Sequence, residues 1–280
     1  MKTRIPANGA TGISLAIHLA LLGHCPSDSL MLIIHCVRRS QKLKCLKILS
    51  IMSLLFVISC AAVQPTGDNI LSASAHYKIG VSYLNEAKVQ LAFVEFQKAY
   101  ELNPNDKEVL QAIGYIYLVH FDDTAKAIDF FEKATKVDPN YSEAYNNLGV
   151  AYEKLGQFEK AISFYKKAVS NLLYSTPEKA YVSMGNSYYR LGKYEDAISS
   201  FKNAINRAPQ LGLPYMRMAL CYNAMGRYGE ASTSLTHAIK LDPVYKGDKE
   251  KALEDFATLK LKATGYEEKD LRDYIEILKY

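Results

Sequence analysis

Apolar, small and polar positions along this chain are distributed in two contrasting ways. From residue 73 onward they repeat: glycines stand at Gly80, Gly114, Gly149 and Gly185, with Ala219 in a fifth slot, at intervals of 34, 35, 36 and 34 residues. A tyrosine follows each slot by three residues: Tyr83, Tyr117, Tyr152, Tyr188 and Tyr222. Further on come Ala92, Ala127, Ala161, Ala197 and Ala231, then the large residues Phe96, Phe131, Tyr165, Phe201 and Leu235. Three residues beyond those stand Ala99, Ala134, Ala168, Ala204 and Ala238, and Pro104, Pro139, Pro209 and Pro243 close four of the units. This common order defines five repeats over 73–245 (73–106, 107–141, 142–177, 178–211 and 212–245). In 246–280, Ala252, Leu253, Phe256 and Leu259 recur at helical spacing, as do Leu271, Tyr274, Ile275 and Leu278. Both stretches are otherwise charged, which predicts capping helices with one face against the last repeat and one in water. Ahead of the array the pattern is a block: a basic run, an apolar stretch from Ile48 to Ile58, then a polar, glycine-bearing segment over 60–72 that reads as a tether.

The periodic part resembles the tetratricopeptide repeat, a helix-turn-helix unit of 34 residues, and the resemblance covers 73–245. It implies an all-α, right-handed solenoid of about five repeats with C-terminal capping helices. The physical chemistry agrees with it. Small residues let two antiparallel helices approach closely, large ones fill the space between units, and each proline stops the second helix before the next begins. One such unit cannot bury its own apolar face, so stability comes from stacking neighbours.

The block at residues 37–59 has the order of an export signal: Arg38, Arg39, Lys42, Lys44 and Lys47, then the apolar stretch, then Ser59 and Cys60. The stretch is short of the roughly 20 residues that span a bilayer. Val57-Ile58-Ser59-Cys60 resembles the lipobox of bacterial lipoproteins, which implies lipidation of the Cys60 thiol, an N-terminal lipid anchor and, with Ala61 next, the outer membrane. The alternative is an uncleaved signal anchor with an incidental cysteine. Residues 1–36 make the leader 1–59 longer than the usual roughly 15–30 residues, so we expect translation to start downstream, at Val37 or Met31.

Charge changes its meaning once it is located. The chain has 34 Lys+Arg against 29 Asp+Glu, a net charge of +5. Residues 1–59 hold seven of the basic residues and one acid, Asp28, leaving 27 basic and 28 acidic residues from 60 to 280, a net of −1. The excess positive charge belongs to the leader, and no nucleic-acid partner is expected of the body. Cys25, Cys36, Cys45 and Cys60 precede the array and Cys221 stands alone in it, so the body has no disulfide framework.

No catalytic constellation is present in the body. His76, His120 and His237 fall in separate repeats, and there is no HExxH, CxxC or GxSxG. The run from Gly185 to Gly192-Lys193-Tyr194 fails as a phosphate loop on spacing and on the missing Ser or Thr hydroxyl, and the repeat explains both glycines. We therefore expect no cofactor, no metal and no enzyme activity, and read Cys221 as a packing residue. What remains is protein binding along a concave surface of first helices. Its positions, counted from each glycine slot, are Tyr77, Val81, Leu84 and Asn85; Gln111, Tyr115, Leu118 and Val119; Asn146, Val150, Glu153 and Lys154; Val182, Asn186, Tyr189 and Arg190; and Met216 and Leu220. The ends are aliphatic and aromatic and the middle polar, which favours an apolar peptide.

Between repeats three and four the join from Asn171 to Pro177 is two residues longer than usual, with Leu173 where the closing proline belongs. Thr176 is placed to cap the next helix and Pro177 to occupy its first position. This join, the lipobox and the five-repeat layout together resemble the type IV pilus biogenesis and stability lipoproteins, the pilotin family called PilF or PilW. That resemblance implies a non-enzymatic outer-membrane lipoprotein on the periplasmic face that escorts the secretin subunit and supports its assembly into the pilus pore. The other reading is a general periplasmic scaffold that docks cell-wall enzymes.

Overall fold

The small residue in each slot decides how closely the helices can pair. The computed structural model describes residues 66–280, which form twelve helices and no strands among the described residues. The leader, Cys60 and the start of the tether lie outside them. Five helix pairs follow one another: α1 (Gly67–Asn85) with α2 (Val89–Leu102), α3 (Lys107–Val119) with α4 (Thr124–Val137), α5 (Ser142–Lys154) with α6 (Phe158–Ser170), α7 (Pro177–Arg190) with α8 (Tyr194–Arg207), and α9 (Gly212–Ala224) with α10 (Tyr228–Leu241). Two further helices end the chain, α11 (Lys249–Lys260) and α12 (Gly265–Ile277). None of these helices is long and apolar enough to cross a membrane.

Within a pair, the ring from the second helix lies directly over the glycine of the first. A Cβ added at Gly80, Gly114, Gly149 or Gly185 would sit 2.5, 2.6, 2.4 or 2.5 Å from a ring carbon of Phe96, Phe131, Tyr165 or Phe201. In the fifth repeat the slot holds Ala219, and the ring position holds Leu235; both are fully buried. A side chain replaces hydrogen at this contact only where the ring is gone. Each ring, fully buried, contributes roughly 1.5–3 kcal/mol, and the flanking alanines, all buried, leave room for it.

The turns inside the pairs need a left-handed residue after the first helix. Gly156, Gly192 and Gly226 supply it in repeats three to five, at φ of 71°, 71° and 73°. In the first two repeats Ala87 and Asp122 hold the same conformation, each at φ 57°, without glycine's freedom.

Caps set several helix starts. The Asp106 carboxylate accepts the Glu108 and Val109 N–H groups at 2.9 and 3.2 Å, and Asp123 and Asp248 accept those of Lys126 and Lys251, each at 3.0 Å. Thr66 accepts the Asn69 N–H at 3.3 Å, and so α1 begins at Gly67, inside the segment expected to be a tether up to residue 72. Thr176 stands at the N-cap of α7 with Pro177 at the first helical position, but its side chain makes no capping bond. The long join is held differently. The Asn171 side chain donates to the Asn140 carbonyl (3.0 Å) and accepts the Leu173 N–H (3.0 Å), Tyr174 tucks in, and Leu172 and Leu173 point outward.

The terminal helices bury part of their expected stripes. On α11, Ala252 and Phe256 are buried while Leu259 is exposed. On α12 the buried face is Asp270, Leu271, Tyr274 and Ile277, so Ile275 and Leu278 are only half-buried and an aspartate joins the apolar stripe.

Candidate partner-binding groove

The first helices α1, α3, α5, α7 and α9 line one face, and the expected groove residues divide along it. In repeats one and two Tyr77, Val81, Leu84 and Gln111 are half-buried, while Asn85, Tyr115 and Val119 are exposed. Tyr115 rests edge-on against His120 at 6.0 Å. Leu118 does not face solvent: it is buried in a cluster with Ala127, Phe131, Leu148 and Tyr152, because its register places it between neighbouring repeats. The accessible N-terminal half is therefore aromatic and aliphatic with two amides, and Leu118 is packing rather than contact surface.

The middle is polar. Asn146, Val150 and Asn186 are half-buried, and the Oδ1 atoms of both asparagines are buried with no protein partner. Lys154 donates to the Leu118 carbonyl at 3.0 Å and pairs with Asp122 at 2.5 Å, so it ties repeat three to repeat two. Glu153 accepts the Tyr165 hydroxyl at 2.7 Å. Burial pushes its carboxyl above the ordinary range, opposed by the bond from Tyr165 and by the charges of Arg190 and Arg217.

The C-terminal half is occupied. Val182, Tyr189 and Leu220 are buried in one cluster with Leu271, Tyr274 and Ile277 of α12, and the half-buried Met216 packs against it. These four, expected as contact surface, instead belong to the core that the chain's own last helix completes. Arg190 makes a two-pronged pair with Asp270, Nη1 to Oδ1 at 3.2 Å and Nη2 to Oδ2 at 2.8 Å, and Arg217 adds a third bond, Nη1 to Oδ2, at 2.8 Å. The Arg190 guanidinium also lies 4.3 Å from the centre of the Tyr266 ring. Lys269 reaches the Tyr189 hydroxyl at 3.5 Å, and burial raises that phenol's pKa.

Arg217 and Asp270 are site residues that the repeat pattern does not mark. Asp270 carries one usable signal: with Tyr274 and Ile277 it follows the i, i+4, i+7 spacing of a single helix face, and a carboxylate there needs a partner. Cys221 is buried and its thiol is pushed up to about 12, chiefly by desolvation, which makes it unreactive. Gly185 lies under the Phe201 ring and Gly192 in a turn, as their repeat positions require. Among the described residues no group of three or more His, Cys, Asp or Glu is placed to hold a metal.

Sequence profiles of the tetratricopeptide repeat match residues 73–106, 142–171, 178–211 and 214–245, and a further TPR repeat profile matches 123–156. Among curated proteins, anaphase-promoting complex subunit 3 of Schizosaccharomyces pombe is 37% identical over 27% of this chain and 11% of its own length. The uncharacterized protein ycf37 of Pyropia yezoensis is 31% identical over 35% of this chain and 57% of its own. The chain spans about a tenth of the length of the first curated relatives. Among solved structures, PilF of Pseudomonas aeruginosa aligns with TM-score 0.59 and 18% identity over 76% of this chain and 99% of its own. PilW, described as a widely conserved type IV pilus biogenesis factor, aligns with TM-score 0.58 and 17% identity over 73% and 90%. MamA aligns with TM-score 0.52 and 24% identity over 62% and 96%. At these identities the likeness is one of fold.

Proposed function

Because the chain belongs to the tetratricopeptide repeat family, whose arrays are protein-interaction scaffolds, we propose that it is a non-enzymatic outer-membrane lipoprotein that serves as a pilotin. In this reading Cys60 carries the lipid, the array stands on the periplasmic face, and the groove binds the pilus secretin subunit during its assembly. The observation that carries it is a combination: a lipobox-like Val57–Cys60 immediately ahead of an array whose fold runs along 99% of PilF and 90% of PilW. One feature supports a peptide ligand in the N-terminal half of the groove: Tyr115 and Val119 are exposed, one helical turn apart on α3, and Tyr77, Val81 and Leu84 of α1 are half-buried.

Deletion of the gene, with immunoblotting for heat-stable secretin multimers and microscopy of surface pili, tests the proposal. Loss of multimers that is restored by the wild-type chain, and not by Cys60→Ala, is the expected result. Unchanged multimers and unchanged pili would reject the pilotin role and leave a scaffold for other envelope proteins.

A further inference from the structure

Helix α12 does more than close the end of the solenoid. A terminal cap needs only an apolar stripe against the last repeat. This one packs against α9 and α10 and also reaches α7 in the preceding repeat through Asp270 and Arg190, so it bridges two consecutive first helices across the groove. The carboxylate at the centre is 4% exposed and shares two arginines. Such a buried ionic group adds little stability over an apolar residue of similar size; its effect is to fix which helix binds and in which register, since one missing partner leaves a buried charge uncompensated.

The docked helix shows what this part of the groove recognises. Its anchors are Asp270, Leu271, Tyr274 and Ile277, a carboxylate within an apolar face at i, i+1, i+4 and i+7. The arginines are not used up by it: Arg217 keeps a buried Nε with no protein partner, and a cavity beside α12 is lined by Arg190, Arg217, Tyr266 and Glu267. Nor is α12 held firmly at its own start. Thr264 makes no side-chain capping bond, and the neighbouring Leu261, Lys262, Thr264 and Gly265 are exposed. A helix of 13 residues is marginal without its docking surface.

We propose that the groove across repeats four and five is a docking site for an amphipathic helix of a partner protein that carries a carboxylate in its apolar face, and that α12 occupies this site as an intramolecular stand-in. A partner helix enters by displacing α12 and takes over Arg190 and Arg217. The inference rests on the groove being the partner-binding face and adds the chemistry of its ligand. It also divides the groove: the N-terminal half is open, and the C-terminal half opens on exchange.

The test uses a fluorescent peptide of residues 265–277 added in trans to the full chain. Wild-type chain should bind it weakly, because its own helix competes at high effective concentration. In Asp270→Arg chain the internal helix is repelled while the groove residues stay intact, and binding should tighten by about thirtyfold or more. A peptide carrying Asp270→Asn should lose a similar factor, and Arg190→Gln with Arg217→Gln in the Asp270→Arg chain should abolish binding. Hydrogen exchange in an Asp270→Asn chain gives an independent reading that does not depend on the harsher variant folding: residues 265–277 should lose protection while the repeats keep theirs. Equal binding by the wild-type and folded Asp270→Arg chains, indifference to the peptide's carboxylate, or unchanged protection over 265–277 would each overturn the proposal. No secretin or lipid enters these measurements, so a failure here leaves the pilotin reading standing, and a failure of secretin assembly leaves this one standing.

Discussion

The contact between Gly185 and Phe201 allows a stability prediction whose sign can be inverted. In Gly185→Ala the new Cβ would lie 2.5 Å from Phe201 Cε1 and 2.8 Å from Cδ1 and Cζ, about 1 Å inside an ordinary carbon contact of roughly 3.5–4.0 Å. The ring is fully buried and cannot swing into solvent. Overpacking of this kind costs about 1–3 kcal/mol, against a gain of up to about 1 kcal/mol from replacing glycine by alanine in a helix. The net expectation is a loss of about 1–2 kcal/mol in urea unfolding followed by helical circular dichroism. Phe201→Leu alone also destabilises, by leaving unfilled volume. Combined, the two recreate the Ala219 and Leu235 pair of the fifth repeat, so in the Phe201→Leu background the alanine should stabilise. A coupling of about 2 kcal/mol between the two sites is expected. If Gly185→Ala lowers stability equally in both backgrounds, the ring is not what reserves the slot for glycine, and the packing argument fails for all four glycines.

Other outcomes follow from single features. Ala87→Gly should raise stability by about 0.5–1 kcal/mol in the same titration, because alanine at φ 57° is strained and glycine is not; Gly156→Ala should do the reverse. Glu153→Gln should stabilise the array at neutral pH, with the gain shrinking as pH falls toward the ordinary carboxylate range. The raised pKa of Glu153 means that its ionised form is penalised only above its unfolded-state pKa, so thermal melts at pH 4 and pH 7.5 should show the gain only at the higher pH. Tyr115→Glu with Val119→Glu should abolish partner binding in the N-terminal half while leaving the circular dichroism unchanged, since both are exposed. Partner binding that survives this pair would move the contact elsewhere.

The repeat architecture was legible because small and large residues must alternate in a fixed order wherever two helices touch, and that order survives in Gly185 and Phe201 as plainly as in Ala219 and Leu235. Groove membership was less legible. Leu118, Val182, Tyr189 and Leu220 share the register of exposed positions, but stacking of the next repeat or docking of α12 buries them. The apolar stripe of α12 announced a helix without saying what it would cover, because Leu271, Tyr274 and Ile277 would suit any apolar surface. Only the placement of Asp270 between Arg190 and Arg217 fixes it, and that depends on two residues far away in sequence. The early start of α1 at Gly67 was hidden by composition: Thr66 and Asp68 are as common in loops as in the first turn of a helix.

The Arg190 to Asp270 pair joins residues 80 apart, more than twice the length of a repeat. Apart from the contacts that α12 makes with α7, α9 and α10, the packing and hydrogen bonds described in the array join elements within a repeat or in the next one, so most of the structure can form locally and in any order. The pair closes a loop that includes repeat five and both terminal helices, so the arrangement of repeats four and five is completed only when the last residues of the chain are present. During synthesis or export from the N-terminus, repeats one to three can settle first while the other end waits for α12. The two ends of this solenoid therefore differ in folding time as well as in surface chemistry.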